Sequence, residues 1–396
     1  MLIKNIRIVD AIQDFTGDIL VEDGKIKEIG QHLPAEEELY FDFTGQELVL
    51  LPAFTDLHVH FRDPGFTYKE DVISGSKAAV KGGYTFVNLM PNTNPVCSTL
   101  TQKQDVENRV KAIGLIEAHQ TLSITKDLKG NDYQHLKSLK KREVLFITND
   151  GKGVEEEQVM DEIFQLCKEK EIGIMLHEED CKYSATDMRT AENNMTLRDL
   201  ALCEKRNGTV HFSHVSTIEA IEAITQAKKK GLAITCEVTP HHIFATGEAF
   251  NHYRVNPPLR NQNDIDSIIN AIQTGIVDAI STDHAPHTQE DKQNGAPGLV
   301  GLETAFGLCY TALVKNDKIT LNHLVKLMSE TPSQMLKLNK GKIAVGQDAD
   351  FVLIDLNNPY KIDVNTFVSK GKNSPFDGVE VYGKMVATFF RGKKVY

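Results

Sequence analysis

Residues 51–65 read LPAFTDLHVHFRDPG, an apolar run that ends in two histidines one residue apart. On a β-strand, residues i and i+2 share a face, so His58 and His60 converge on one point while Val59 turns away into packing. Two imidazoles at that spacing have metal-ligand geometry. The pair alone is a weak signal, because a site needs further donors from elsewhere in the chain.

Those donors stand at the ends of other short apolar runs. EVLFIT (143–148) ends in Asn149 and Asp150, GIML (173–176) in His177, TVHFS (209–213) in His214, and IVDAI (276–280) runs into STDHAPH with Asp283. The runs alternate with helical stretches such as 153–170 and 216–230, which predicts a parallel α/β sheet covered on both faces. Eight candidate strands fall near 53–60, 84–90, 115–121, 143–149, 172–177, 209–214, 232–238 and 276–282. Eight suggests a closed (β/α)₈ TIM-like barrel, whose site lies where the C-terminal strand ends meet. Donors on strands one, four, five, six and eight share a point only if the sheet closes, so fold and chemistry support each other.

Six stretches carry a resemblance: DLHVHFRDPG (56–65), MPNTNP (90–95), HVST (214–217), EVTPHH (237–242), NPPLR (256–260) and TDHAPH (282–287). Through them the chain resembles, nearly end to end, the dihydroorotases of the amidohydrolase superfamily, which are metal-dependent cyclic amidohydrolases. The resemblance implies reversible, zinc-dependent cyclisation of N-carbamoyl-L-aspartate to (S)-dihydroorotate and water in de novo pyrimidine (UMP) biosynthesis. It implies one or two Zn²⁺ per subunit: His58, His60 and Asp283 on one metal, His177 and His214 on a second, and Asp150 bridging. Asp283 is then also the proton-transfer residue. Arg62, Asn92 and His287 are expected around the substrate carboxylate, with His60 beside them, Asn256 on the ring, and the backbone near Pro297 and Gly298 on its amide edge.

These residue types suit that chemistry. A ring amide is a poor electrophile and water a poor nucleophile near neutral pH; a bound metal polarises the carbonyl and lowers the pKa of water to about 7. A carboxylate such as Asp283 can take the proton and return it to the leaving nitrogen. A planar guanidinium can bind a carboxylate through two parallel hydrogen bonds, and Arg62 shares the parity of 58 and 60 if the strand stays extended. The polar, Gly-ended stretch 287–298 reads as a mobile lid.

Some residues have competing readings. Much of the superfamily bridges its metals with a carboxylated lysine, and Lys152 shares the parity of Asp150, but the flanking Gly151 and Gly153 suggest a turn and favour Asp150. His211 lies three residues before His214, on the opposite face of a strand, so the motif favours His214. His241 and His242 stay unassigned, and Glu178, Glu179 and Asp180 read as a solvated charge run. Residues 181–194 are shorter than the family leads one to expect, which leaves cavity shape and subunit packing open.

The two chain ends read as strands. LIKNIRIV and DILVEDGKIKEI, with Asp23-Gly24 as a hairpin signal, precede residue 50, and DADFVLID and GKMVATFFRGKKVY follow residue 342. Neither end, at roughly 50 residues, buries much core alone. The expectation is therefore a composite β-sandwich of 1–50 and 342–396 beside a barrel of 51–341.

Lys and Arg total 44 against 55 Asp and Glu, a net charge of −11, which argues against a general nucleic-acid surface. Six cysteines without a Cys-x-x-Cys pair indicate a reducing cytoplasm rather than a disulfide framework. No signal-peptide pattern and no apolar run of membrane-spanning length is expected. The expected partner is the small-molecule substrate, with a homodimer as the oligomeric prior. Two rival readings stay open: a hydantoin or allantoin hydrolase sharing the metal site but not the carboxylate pocket, and a non-catalytic scaffold for an aspartate transcarbamoylase.

Overall fold

The computed structural model describes residues 1–34 and 40–396. All eight expected barrel strands form: Phe54–Val59, Tyr84–Leu89, Glu117–Gln120, Phe146–Thr148, Gly173–Leu176, Val210–Phe212, Ile234–Val238 and Ala279–Ile280. Neighbours pair in parallel, and the line of the third strand continues through Leu122–Ser123, which carries the pairing on to the fourth. The ring closes where Val59 bridges His284 in parallel and His60 N–H donates to the His284 carbonyl at 2.9 Å.

Every residue of Phe54–Val59 is buried, as a strand between barrel lumen and covering helices must be. The helices present one apolar stripe each. Glu157–Lys170 buries Met160, Ile163, Phe164 and Cys167, the i, i+3, i+4, i+7 rhythm of a helix with one face on the sheet. Ile218–Lys229 is started by Thr217, whose hydroxyl accepts from Ala220 N–H. The HVST stretch thus couples a strand end to a helix cap, with His214 at the bend between them.

The chain ends build one mixed sheet. Leu2–Val9, Asp14–Glu22, Lys25–Gly30 and Leu48–Pro52 come from the N-terminal side, and Phe351–Asp355, Lys384–Phe390 and Lys393–Lys394 from the C-terminal side. Antiparallel pairing of Leu48–Pro52 with Phe351–Asp355 along their whole length joins the two ends. Side chains alternate across this seam: Leu50, Phe351 and Leu353 enter an apolar core with Ile3, Ile8 and Phe389, whereas Val49, Leu51, Val352 and Ile354 join the barrel core. Asp23 and Gly24, at φ 51° and 74°, make the expected tight hairpin between Glu22 and Lys25. Among the described residues, no helix is long and apolar enough to cross a membrane.

Candidate active site

The period-two reading of residues 58 and 60 holds: both imidazoles point to one cluster, their ring centres 5.4 Å apart. His58 Nε2 lies 3.0 Å from Asp150 Oδ1 and 3.6 Å from Asp283 Oδ1; His60 Nε2 lies 3.0 Å from Asp283 Oδ1 and 3.4 Å from Asp150 Oδ2. His177 Nδ1 and His214 Nε2 are 2.9 Å apart and stand 3.6 and 3.8 Å from Asp150 Oδ1. Residues from strand ends one, four, five, six and eight therefore meet around Asp150, and all six are buried.

The far nitrogens decide what the near ones can do. His58 Nδ1 donates to Glu237 Oε1 at 2.9 Å, and His60 Nδ1 donates to Asn92 Oδ1 at 2.8 Å. With those hydrogens fixed, each neutral ring turns its Nε2 lone pair toward a carboxylate oxygen 3.0 Å away. Two lone pairs at that distance need a proton or a metal ion between them. His58 Nε2, fully buried, is aligned for no hydrogen bond. Two donor sets each lie within one ion's reach: His58, His60 and Asp283, and His58, Asp150 and His214. The residues present thus fit a bound metal, and imidazole with carboxylate is a donor set that zinc accepts.

The field agrees. Burial opposes charging of His58, yet Asp150, Glu237 and Asp283 carry its pKa well above the ordinary imidazole value. His177 is likewise raised to about 9, burial being outweighed by Asp150 and Glu179. Burial pushes Asp150 and Asp283 upward, but the surrounding histidines hold both below the usual carboxylate range. The cluster attracts positive charge.

Above it lies a cavity of about 190 Å³ lined by Arg62, Asn92, Asn256, His287, Pro297 and Gly298 together with the cluster. Every substrate-side candidate from the sequence is there. Arg62 arrives by a different route than expected: the strand ends at Val59, and Arg62 takes a left-handed backbone, φ 59°. His214 and Asp283 also have positive φ, 37° and 47°; non-glycine residues in that region cluster at functional sites. Asn92 spends its amide on His60 and, through Nδ2, on Asp150 Oδ2 at 3.1 Å. Asn256 donates to Glu179 Oε2 at 2.8 Å and leaves its buried Oδ1 without a partner. Gly298 N–H and C=O are both engaged, the first by Arg254 and the second by Lys292 and Asn373, which leaves the Pro297 carbonyl as the acceptor of that pair.

Lys152 is exposed in the turn after Asp150, with Gly151 at φ 77° and Lys152 N–H donating to Asn149 C=O. His211 faces Glu237 behind the cluster at 3.1 Å, while His214 faces Asp150. The charge run at 178–180 is not solvated: Glu178 is buried, and Glu179 lies 3.0 Å from His177 Nε2. A carboxylate on the far side of an imidazole fixes its orientation, so Glu179 and Glu237 are the functional residues the sequence reading missed. The signal was present in Glu237, a charge in the middle of the otherwise uncharged strand ITCEV. Segment 287–298 is folded down on the barrel, its helix Gln289–Gln293 capped by Thr288 and Lys292 donating to three carbonyls.

Fold and cluster together define a class: (β/α)₈ barrels that gather imidazoles and carboxylates into one buried centre at the C-terminal mouth. The chain belongs to the amidohydrolase family, whose model matches residues 49–395. Among curated proteins it is 50% identical to the dihydroorotase of Clostridium botulinum (strain Eklund 17B / Type B), over 100% of this chain and 99% of that one. It is 39% identical to the dihydroorotase of Ruminiclostridium cellulolyticum, over 100% and 98%. Among solved structures it is similar to the L-hydantoinase (dihydropyrimidinase) from Arthrobacter aurescens, with TM-score 0.88 and 26% identity over 100% of this chain and 95% of that one. The dihydropyrimidinase from Brevibacillus agri NCHU1002, at 24% identity, TM-score 0.87 and coverage of 100% and 94%, speaks for the fold alone.

Proposed function

We propose that this chain is a dihydroorotase, interconverting N-carbamoyl-L-aspartate and (S)-dihydroorotate in pyrimidine synthesis. The observation that carries the choice of ring is the placing of Arg62 and His287 in the same small cavity as the His/Asp cluster. A fixed cation there suits a cyclic amide that bears a carboxylate; a plain hydantoin would leave it without a counter-ion. Full-length identity of 50% to a curated dihydroorotase supports the same reading.

His58, His60 and Asp283 would hold one divalent ion, and Asp150, His177 and His214 a second, with Asp150 between them. Zinc is the proposed metal; bound there, it supplies carbonyl polarisation and a more acidic water. The remaining work falls to the chain. Arg62 and His287 grip the substrate carboxylate, and the free Asn256 Oδ1 accepts a ring N–H. Asp283, held ionised by His60 and His58 against burial, accepts a proton from the attacking water. The water oxygen adds to the amide carbon, the carbon–nitrogen bond breaks, and Asp283 returns the proton to the nitrogen. Run backwards, the same steps close the ring and release water.

The same reading divides the chain into a composite terminal unit, 1–50 with 342–396, and a catalytic barrel, 51–341. It places the enzyme in a reducing cytoplasm, in keeping with six free cysteines.

The test is dihydroorotate hydrolysis by the purified protein, followed by loss of ultraviolet absorbance, before and after chelation and zinc add-back, with hydantoin and allantoin alongside. Chelator-sensitive turnover of dihydroorotate is the expected result. Turnover of another ring instead would move the substrate, and none at full metal occupancy would leave a scaffold.

A further inference from the structure

Asn373 ties together the two ends of the segment that covers the site. Its Oδ1 accepts from His287 N–H at 2.9 Å, and its Nδ2 donates to the Gly298 and Ala285 carbonyls, each at 3.1 Å. All three partners are backbone groups, one donor and two acceptors, so the amide fits in one orientation only. Segment 287–298 begins at His287 and ends at Gly298. One buried side chain therefore closes that loop at its root.

The same two ends are walls of the substrate cavity, His287 beside Arg62 on one side and Gly298 after the Pro297 carbonyl on the other. The middle of the segment, helix Gln289–Gln293, buries none of its residues, so packing does not hold it. Asn373 reaches the site from the C-terminal side of the chain. Strands Tyr360–Lys361 and Glu380–Val381 pair with each other, and the connection between them runs onto the barrel. There Phe367 and Phe376 share an apolar core with Val255, Leu259, Leu299 and Val300, and the Asn373 carbonyl accepts from Val300 N–H at 2.9 Å. The fit is close: a Cβ on Gly371 would stand 2.7 Å from Asn373 Oδ1.

We propose that Asn373 is a positioning residue for substrate recognition: by fastening His287 to Gly298 it sets the distance between the carboxylate grip and the carbonyl that meets the amide edge. A ligand that must reach both at once binds well only while that spacing is held, because small misplacements of binding groups are costly. The link to substrate rests on the dihydroorotase reading; the fastening of the segment does not.

Asn373→Ala removes the amide, and Ile19→Ala, which opens a cavity in the core of the terminal sheet, is the control for lost stability. Asn373→Ala should raise KM for dihydroorotate about tenfold and keep kcat within about threefold. Zinc retention against a graded chelator should match the wild type. Hydrogen exchange of segment 285–300, read by mass spectrometry, should quicken about tenfold. Ile19→Ala should melt lower while KM and that exchange stay as in the wild type. Gly371→Ala keeps every hydrogen-bonding atom but displaces Oδ1, and should raise KM about 2- to 10-fold; it carries the test if Asn373→Ala does not fold. An unchanged KM in the folded variant overturns the proposal, as does Ile19→Ala matching its rise in KM. Easier zinc loss in Asn373→Ala would make the residue a support of the metal centre and overturn it too. If the wild type turns over no dihydroorotate, the function reading falls, and the exchange of segment 285–300 alone decides whether Asn373 fastens it.

Discussion

Glu237→Gln should loosen the metal centre without touching a metal ligand. Glu237 is fully buried, accepts from His58 Nδ1 at 2.9 Å, faces His211 Nε2 at 3.1 Å, and receives the Ser281 hydroxyl. As an acceptor on both oxygens it forces the His58 hydrogen onto Nδ1 and keeps the Nε2 lone pair on the cluster. An amide of the same shape ends that certainty. With its NH₂ toward His58, Nδ1 must accept and Nε2 carries the hydrogen, so His58 is lost as a ligand. With its NH₂ toward His211, a neutral oxygen replaces a charged one and makes His58 a weaker donor to metal. Partners behind metal-ligating histidines are typically worth 10–100-fold in affinity, or about 1.4 to 2.8 kcal/mol. Bound zinc should be measured against a graded chelator for wild type and variant, with kcat/KM at saturating zinc and thermal melts of the stripped proteins. We expect the variant to lose half its metal at a 10–100-fold lower chelator activity, with the two stripped melts close together. Coincident chelator curves would refute the argument from Glu237 to His58.

Asp283→Asn should cut kcat by about 10²- to 10⁴-fold while the circular dichroism spectrum stays native, and wild-type turnover in it would remove Asp283 as the proton carrier. Arg62→Met should raise KM for dihydroorotate by about 10- to 100-fold, the worth of a charge-assisted pair; equal kcat/KM in variant and wild type would refute the carboxylate role. Gly65 has φ 95°, and a Cβ there would stand 2.1 Å from the Asn94 carbonyl oxygen, so Gly65→Ala should cost at least about 1–3 kcal/mol in urea unfolding. Of the six free thiols only Cys181 is exposed, so a thiol reagent should label one cysteine in the native protein and the rest on unfolding; rapid native labelling of more than one would contradict the packing.

How much of the site was legible follows from how local each rule is. His58 and His60 were readable because period two is a property of the strand itself, and the Asp23-Gly24 hairpin because its dihedrals belong to two residues. The strand-end donors were readable as candidates, since each closes its own apolar run. Arg62 was placed in the right cavity by parity, yet it gets there by a left-handed bend after Val59 that the alternation pattern does not contain. Glu178 to Asp180 misled for the opposite reason: a charge run resembles solvated loop until the next helix folds over it, and here Glu179 braces His177.

By itself, then, the sequence determined the strand-helix alternation, the strand character of the two chain ends and the donors at each strand end, because spacing along the chain imposes those. Only the closed ring decided which donors meet. The approach of Glu237 to His58, 179 residues apart, Lys69 to His287, 218 apart, and Asn373 to Gly298, 75 apart, depends on barrel closure and on where loops land upon it. Those distances are set by the packing of all eight strands at once, and no local pattern of residues encodes them.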